Sequence, residues 1–152
     1  MKKIPVSLQL YSLRDDAKKD FAGTVAAVAR IGYTGVELAG YGNLDAPGAA
    51  AALAAAGLRV SGMHVGIQAF RTDIGRVINE ALLLGTGHVI VPWWPVEQFV
   101  SAAAAQQIGE ELNRHGAALR AFGLQLSYHN HAGEFKLFEG RFHCLLRRRA
   151  RE

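Results

Sequence analysis

Two histidines and a glutamate near residue 130 are the residues best placed for chemistry in this 152-residue sequence. The segment LQLSYHNHAGEF, residues 124–135, alternates apolar and polar side chains before it reaches them. Because a strand has a period of two, His129 and His131 fall on one face. The other face is apolar or aromatic and holds Leu124, Leu126 and Tyr128. Glu134 follows three residues later, and α/β proteins usually place reacting groups at such strand ends.

Strand-like and helix-like segments alternate through the rest of the chain. Five segments with strand character begin near residues 4, 35, 58, 88 and 124, the first running from Ile4 to Leu10. Between them, apolar residues recur at helical spacing, as from Ile74 to Leu82, and Gly32 and Gly123 stand where helices would end. This spacing predicts βα units with parallel strands, not hairpins. Such units form either an open doubly wound sheet or part of a (β/α)8 barrel.

Two features favour the barrel. The turn after the first strand, residues 11–14, reads YSLR and lacks the Gly-rich phosphate fingerprint of a Rossmann fold. Polar or aromatic residues also recur at the ends of successive strands, and a barrel gathers strand ends at one mouth. The predicted fold class is therefore α/β, a partial (β/α)8 TIM barrel with about four βα units and a fifth strand. The candidate mouth residues are Gln9, Tyr11, Glu37, His64, Trp93, Trp94, His129 and His131.

Composition indicates one globular domain without membrane segments. Half of the residues are hydrophobic, which is enough for a sizeable core. No apolar run reaches the roughly 18 residues of a membrane span, and Ser7 and Gln9 interrupt the stretch that a signal peptide would need. A single cysteine, Cys144, excludes an internal disulfide. These features predict a soluble cytoplasmic protein with no membrane partner.

The formal charge of +4 is concentrated at the carboxyl terminus. Five of the 17 Lys and Arg residues, but only one of the 13 Asp and Glu residues, lie in residues 141–152, so residues 1–140 carry 12 of each sign. A nucleic-acid interface needs a basic stripe across the folded surface. The sequence therefore argues against a nucleic-acid partner and marks residues 141–152 as an atypical basic tail.

Several motifs resemble the sugar phosphate isomerase/epimerase family. They are QLYSLR at residues 9–14, GVEL at 35–38, GMHV at 62–65 and, above all, YHNH at 128–131 with Glu134 and Phe135. That family has a xylose isomerase-like TIM barrel and includes inosose dehydratases and ketose 3-epimerases. The resemblance covers roughly residues 4–138 and implies eight βα units in a complete barrel. Residues 1–140 would then be its N-terminal half.

The resemblance implies metal-dependent proton transfer beside the carbonyl of a sugar or sugar phosphate. The family holds Mn²⁺, Mg²⁺ or Co²⁺ with two glutamates, an aspartate and a histidine, and the cation stabilises the oxyanion that forms. Only Glu134 matches a family ligand here, and it is the expected catalytic and metal-binding residue of the complete site. Because the other ligands belong to later strands, we expect this chain to bind no metal and to have little activity.

Each candidate also has a structural interpretation. Glu134 is then a solvated loop carboxylate, and the strand-end histidines are satisfied by backbone groups. Glu37 would form a structural ion pair, because a buried carboxylate demands a partner. Trp93 and Trp94 either form an apolar wall against a sugar ring or pack in the core at the barrel rim.

Three other functions remain open. A dehydratase of the inosose type begins with the same proton removal beside a carbonyl. A base-excision endonuclease of related fold shares a histidine after the third strand, but it also needs one after the fourth, where this chain has PWW at residues 92–94, and a basic DNA face. A non-catalytic binding or assembly protein is the last alternative.

An incomplete barrel has consequences for stability and for the tail. Its first and fifth strands are left unpaired, so we expect a marginally stable, aggregation-prone chain, with self-association of two copies through the open edges as the alternative. Because the net charge and Cys144 both lie beyond residue 140, we expect the reading frame to depart from the family near Arg141, which would make the chain a truncated form. A short amphipathic helix with a basic end is the structural alternative for the tail.

Overall fold

Five parallel strands form one sheet in this computed structural model, which describes residues 4–135, 137–138 and 141–142. The strands are Ser7–Gln9 (β1), Gly35–Leu38 (β2), Arg59–His64 (β3), His88–Val91 (β4) and Gln125–Tyr128 (β5). Their order in the sheet is β1-β2-β3-β4-β5, so each strand lies beside its predecessor in the chain. Because crossovers between parallel strands are right-handed, an order that always advances in one direction puts the connecting helices on one face. A doubly wound sheet would instead reverse its order at a switch point.

Helices connect the strands in the described part of the chain. They are Arg14–Lys19 (α1), Phe21–Ile31 (α2), Ala46–Ala55 (α3), Ile67–Leu83 (α4) and Ala102–Arg120 (α5). Short 3-10 turns, at Leu10–Leu13, Val96–Gln98 and Ala132–Phe135, follow β1, β4 and β5. After the last turn, Leu137–Phe138 (β6) and Arg141–Phe142 (β7) pair antiparallel.

Local sequence signals explain where several helices begin and end. Asp20, Asp45 and Ser101 precede α2, α3 and α5, and the side chain of each accepts a hydrogen bond from the backbone N–H three residues later. Gly32 ends α2 with φ of 108°, a left-handed conformation that glycine adopts without steric cost.

The core lies between the sheet and the helices. Alternate strand residues facing it are almost completely buried: Val36, Leu38, Met63, Val89 and Val91. The intervening residues point to the opposite face of the sheet and remain partly exposed, as at Gln9, Glu37, Ile90 and Ser127. The sheet therefore has one covered apolar face and one open face that is largely polar.

Three elements differ from the sequence prediction. The first strand ends at Gln9 because a 3-10 turn begins at Leu10. The helix α1 was not predicted, since Ala17 is its only buried residue and it has no apolar stripe. The helix α4 begins well before Ile74, and Asp73 interrupts it with φ of −157° and ψ of 77°.

The described helices include none that is both long and apolar enough to cross a bilayer. In the predicted basic tail, Arg141 and Phe142 form β7. The rest of that tail, residues 143–152, lies outside the described residues.

Candidate functional site

A polar cluster joins the carboxyl ends of the first three strands. Oε1 of Glu37 accepts a hydrogen bond from Nε2 of Gln9 at 3.0 Å and lies 2.9 Å from Nε2 of His64. The nitrogens of Gln9 and His64 are themselves 3.5 Å apart. Three of the residues predicted for the mouth are therefore in direct contact.

The strand register explains this cluster. Gln9 lies beside Glu37 in the β1–β2 pair. The pairing of β2 with β3 then shifts by one residue after Val36, so that Glu37 lies beside Gly62. Because residues two apart share a face, His64 comes to the same face as Glu37. A bulge of this kind changes the direction in which the following side chains point.

Gly62 lies against the side chains of Ile90 and Glu37. A Cβ at this position would lie 3.0 Å from Cδ1 of Ile90 and 3.6 Å from Oε2 of Glu37. The contact with Ile90 is the tight one, whereas 3.6 Å from Glu37 is an ordinary van der Waals distance. The glycine of the GMHV motif is thus explained by packing.

The protonation state of His64 follows from its surroundings. Burial lowers the pKa of His64 more than the neighbouring Glu37 carboxylate raises it, and His129 lowers the pKa further. The ring is therefore mainly neutral at pH 7. Its 2.9 Å contact with a carboxylate oxygen requires the proton on Nε2, which leaves the lone pair on Nδ1.

The three strand-end histidines lie in a row. The ring of His129 meets the ring of His64 edge to face at 5.6 Å between centroids and stacks on that of His131 at 4.9 Å. The backbone N–H of His129 still donates to the carbonyl of Val91, at 3.0 Å. The backbone of β5 therefore holds His129 beside the end of β4.

A cavity of about 410 Å³ opens next to this row of rings. Its lining residues are Gln9, Tyr11, Ala39, His64, Pro92, Trp93, His129 and His131. Six of the eight candidate mouth residues therefore surround one space, and Glu37 contacts two of them. Their role in binding a substrate stays a prediction.

Trp94 packs in the core, as the structural interpretation of this residue predicted. Its side chain is 2% exposed, whereas Trp93 is 56% exposed. The indole N–H of Trp94 donates to Oε1 of Gln98 at 2.7 Å, and the guanidinium of Arg71 lies 5.2 Å from its ring centroid. Of the two adjacent tryptophans, only Trp93 lines the cavity.

A second cavity, of about 350 Å³, lies on the open face of the sheet. It shares His64 and His129 with the first cavity. Its other lining residues are Glu37, Ser61, His88, Ile90, Ser127 and Tyr128. His88 begins its strand and was not among the candidate mouth residues. The alternation of His88 and Ile90 with the buried Val89 and Val91 was the signal for its place on this face.

Glu134 is buried, contrary to its structural interpretation as a solvated loop carboxylate. It is 4% exposed, and both carboxylate oxygens are engaged. Oε1 accepts from the hydroxyl of Tyr128 at 2.6 Å, and Oε2 accepts from the backbone N–H of His131 at 2.8 Å. A glutamate that reaches back three residues to a backbone N–H is half of a capping box. The catalytic and metal-binding roles of Glu134 stay predictions.

Solved structures share this arrangement of strands and helices. Two structures of sugar phosphate isomerase/epimerase from Parabacteroides distasonis ATCC 8503 align over 90% and 88% of this chain, with TM-scores of 0.74 and 0.75 and identities of 23% and 21%. An AP endonuclease of family 2 from Brucella melitensis aligns over 71% of this chain, with a TM-score of 0.60 and 19% identity. The chain folds as part of a TIM barrel.

The predicted fold class is thereby confirmed, and the cavities lie on the inner side of the partial barrel. The chain spans about half of each solved structure, namely 54%, 57% and 48% of their lengths. At these identities the likeness concerns the fold alone. No protein-family model and no curated protein matches the sequence.

The part of the chain that the structure describes does not fit the divalent metal implied by the family resemblance. Within it, no group of three or more His, Cys, Asp and Glu side chains is arranged to hold a metal ion. Glu134, the one residue matched to a family ligand, turns both oxygens towards Tyr128 and the backbone. It also lines neither of the two cavities described above.

Proposed function

We propose that the barrel mouth binds a sugar or sugar phosphate, and that the chain is a sugar phosphate isomerase/epimerase-like protein. The observation that carries this proposal is the lining of the 410 Å³ cavity. It combines the exposed rings of Tyr11 and Trp93 with the hydrogen-bonding groups of Gln9, His64 and His129. Flat aromatic surface suits the apolar face of a sugar ring, and convergent polar groups suit its hydroxyls.

The polar cluster would orient such a ligand. Gln9 and the protonated Nε2 of His64 both point at the carboxylate of Glu37, so these three side chains restrain one another. A restrained set of donors and acceptors loses little entropy when a ligand binds. In this proposal, Nδ1 of His64 is a proton acceptor at neutral pH, because the ring is neutral and Nε2 holds the proton.

Proton transfer beside a sugar carbonyl is the reaction we propose for the complete protein. When bound, a divalent metal would polarise the carbonyl. Since the described residues do not fit such a metal, we assign no step to it in this chain. The role proposed for the residues present is to bind and orient the ligand and to exclude water from one wall of the cavity.

The balanced charge of residues 1–140 argues against the alternative that the chain is an endonuclease. Residues 1–140 carry equal numbers of positive and negative side chains, whereas phosphate-backbone binding needs clustered Lys and Arg. Arg14 stands near the mouth, but its guanidinium donates to the carbonyl of Tyr11 at 3.0 Å and lies 4.6 Å from the centroid of the Tyr11 ring.

A cytoplasmic location is also part of the proposal and rests on the sequence.

Tryptophan fluorescence tests the proposal. Titration with D-fructose 6-phosphate and D-ribulose 5-phosphate is expected to change the emission of the exposed Trp93 and not that of the buried Trp94. Trp93→Phe should abolish the response, and Trp94→Phe should retain it. A response that persists in Trp93→Phe, or no response to either sugar phosphate and to the parent sugars, would refute the proposed binding mode.

A further inference from the structure

The turn that carries two of the mouth histidines is held together by a buried carboxylate. Tyr128 is the last residue of β5, and His131 precedes the 3-10 turn Ala132–Phe135. The carboxylate of Glu134 bonds to both, through the hydroxyl of Tyr128 and the backbone N–H of His131. It thereby spans the segment that contains His129.

We propose that Glu134 is a positioning residue in this chain, which fixes the turn bearing His129 and His131, and that it does not act as a ligand of a divalent metal. This inference rests on the proposed function, because a fixed turn matters for function only if the rings of His129 and His131 bind the ligand.

The strength of the two bonds supports this role. Hydrogen bonds to an ionised carboxylate are shorter and stronger than those between neutral groups, and the 2.6 and 2.8 Å contacts of Glu134 are in that range. Loss of either donor would leave a buried carboxylate incompletely hydrogen-bonded, which costs free energy. The turn therefore keeps the geometry in which His129 stacks on His131 at 4.9 Å and meets His64 at 5.6 Å.

The chemistry of the surrounding groups argues against a metal at this position. Manganese and magnesium require several oxygen or imidazole ligands around one point. Glu134 is 4% exposed and faces a hydroxyl and a backbone N–H, both of which are hydrogen-bond donors here. A cation would be repelled by the positive ends of these two dipoles.

Backbone amide exchange of His131, measured by NMR, tests the positioning role. Glu134→Ala should accelerate this exchange by about 10-fold or more, the range expected for loss of a charge-assisted bond. Glu134→Gln should largely restore protection because its amide oxygen can accept from the same N–H. Tyr128→Phe should give an intermediate rate, and Glu110→Ala, which removes an exposed carboxylate on α5, should leave the rate unchanged.

A second experiment tests metal binding: Mn²⁺ is added alone, and its binding is measured from the relaxation of water protons. The wild type, Glu134→Gln and Glu110→Gln should show the same weak response. Binding of Mn²⁺ that Glu134→Gln weakens by at least 10-fold, with Glu110→Gln unaffected, would overturn the inference. Unchanged exchange of His131 in Glu134→Ala would also overturn it, and if Glu134→Ala does not fold, unchanged exchange in Tyr128→Phe would do so. Neither experiment contains a sugar, so their results do not depend on whether the proposed sugar binding is correct.

Discussion

In the proposed function the chemistry of the mouth depends most on His64, whose ring contacts the carboxylate of Glu37 in the Gln9–Glu37–His64 cluster. Burial keeps the ring neutral at pH 7 by lowering its pKa, in spite of Glu37. The proton on Nε2 is directed at Glu37, so the nitrogen that can accept a proton is Nδ1. A ligand that brought a hydroxyl to this ring would therefore meet an acceptor.

The lowered pKa of His64 predicts a stability that falls on acidification. Above the unfolded-state pKa of about 6.5 the ring is neutral in both states and contributes no pH dependence. As the pH falls below that value, the unfolded chain takes up a proton at His64 before the folded chain does, so folding is disfavoured progressively down to the folded-state pKa. Urea unfolding at pH 7 and pH 5 should show a smaller loss of stability in His64→Gln than in the wild type.

The control for this titration is His115, a histidine on α5 that lies apart from the polar cluster. His115 faces the carboxylate of Glu111 at 3.7 Å, a contact that protonation of the ring does not weaken, so His115→Gln should not reduce the difference between pH 7 and pH 5. An equal reduction of that difference by both substitutions, or no reduction by His64→Gln, would show that His64 does not account for the acid sensitivity.

At the scale of elements, the site depends on the irregular pairing of β2 with β3. The shift after Val36 brings Glu37 and His64 to the same face of the sheet, and the absence of a side chain at Gly62 leaves room for the end of the Ile90 side chain. The alternating pattern of the sequence predicted both strands, and Gly32 and Gly123 predicted helix ends. The alternating pattern did not reveal the bulge, since a bulge changes which residues face each other without changing the pattern of either strand.

Other local features were hidden for similar reasons. The short helix α1 buries only Ala17, so it has no apolar periodicity to detect. Trp93 and Trp94 follow the same strand, and only the path of the chain after Val91 decides which is buried. The spacing of His131 and Glu134 was a visible capping signal, but the partner of the other carboxylate oxygen is Tyr128, a contact that depends on the fold of the turn.

Gly62→Ala should destabilise the protein by about 1 kcal/mol, the lower end of the range for overpacking. The new methyl group would contact the end of the Ile90 side chain, which has to shift. Gly87→Ala is the matched control, because its φ is outside the left-handed region and no atom lies within 4 Å of the added Cβ. Denaturant titration of both variants measures the difference; equal stability of the two would contradict the role assigned to Gly62.

At the scale of the whole molecule, the sheet formed by the described residues has two open edges. The strand order begins with β1 and ends with β5, and in the described part of the chain neither has a neighbour on its outer side. Exposed backbone at sheet edges favours pairing with other chains. Val6, which directly precedes β1, is an apolar residue that is 57% exposed.

We expect the chain to associate through these edges in a concentration-dependent manner. Val6→Lys should reduce the association, because a charge next to an edge strand opposes edge-to-edge pairing. Leu82→Lys is the control, since Leu82 is similarly exposed, at 51%, but lies on α4 away from both edges. Sedimentation velocity over a range of concentrations distinguishes the outcomes; a monomer at all concentrations, or equal effects of both substitutions, would exclude association through the edges.

The ring signals of the histidines offer the most direct test of the central claim, that the strand ends form one ligand-binding mouth. In an NMR titration with D-ribulose 5-phosphate, the signals of His64, His129 and His131 should shift together with a single dissociation constant. The signal of His115, on α5, should stay in place. If the three mouth histidines do not respond, or if His115 shifts as much as they do, the mouth is not the binding site described here.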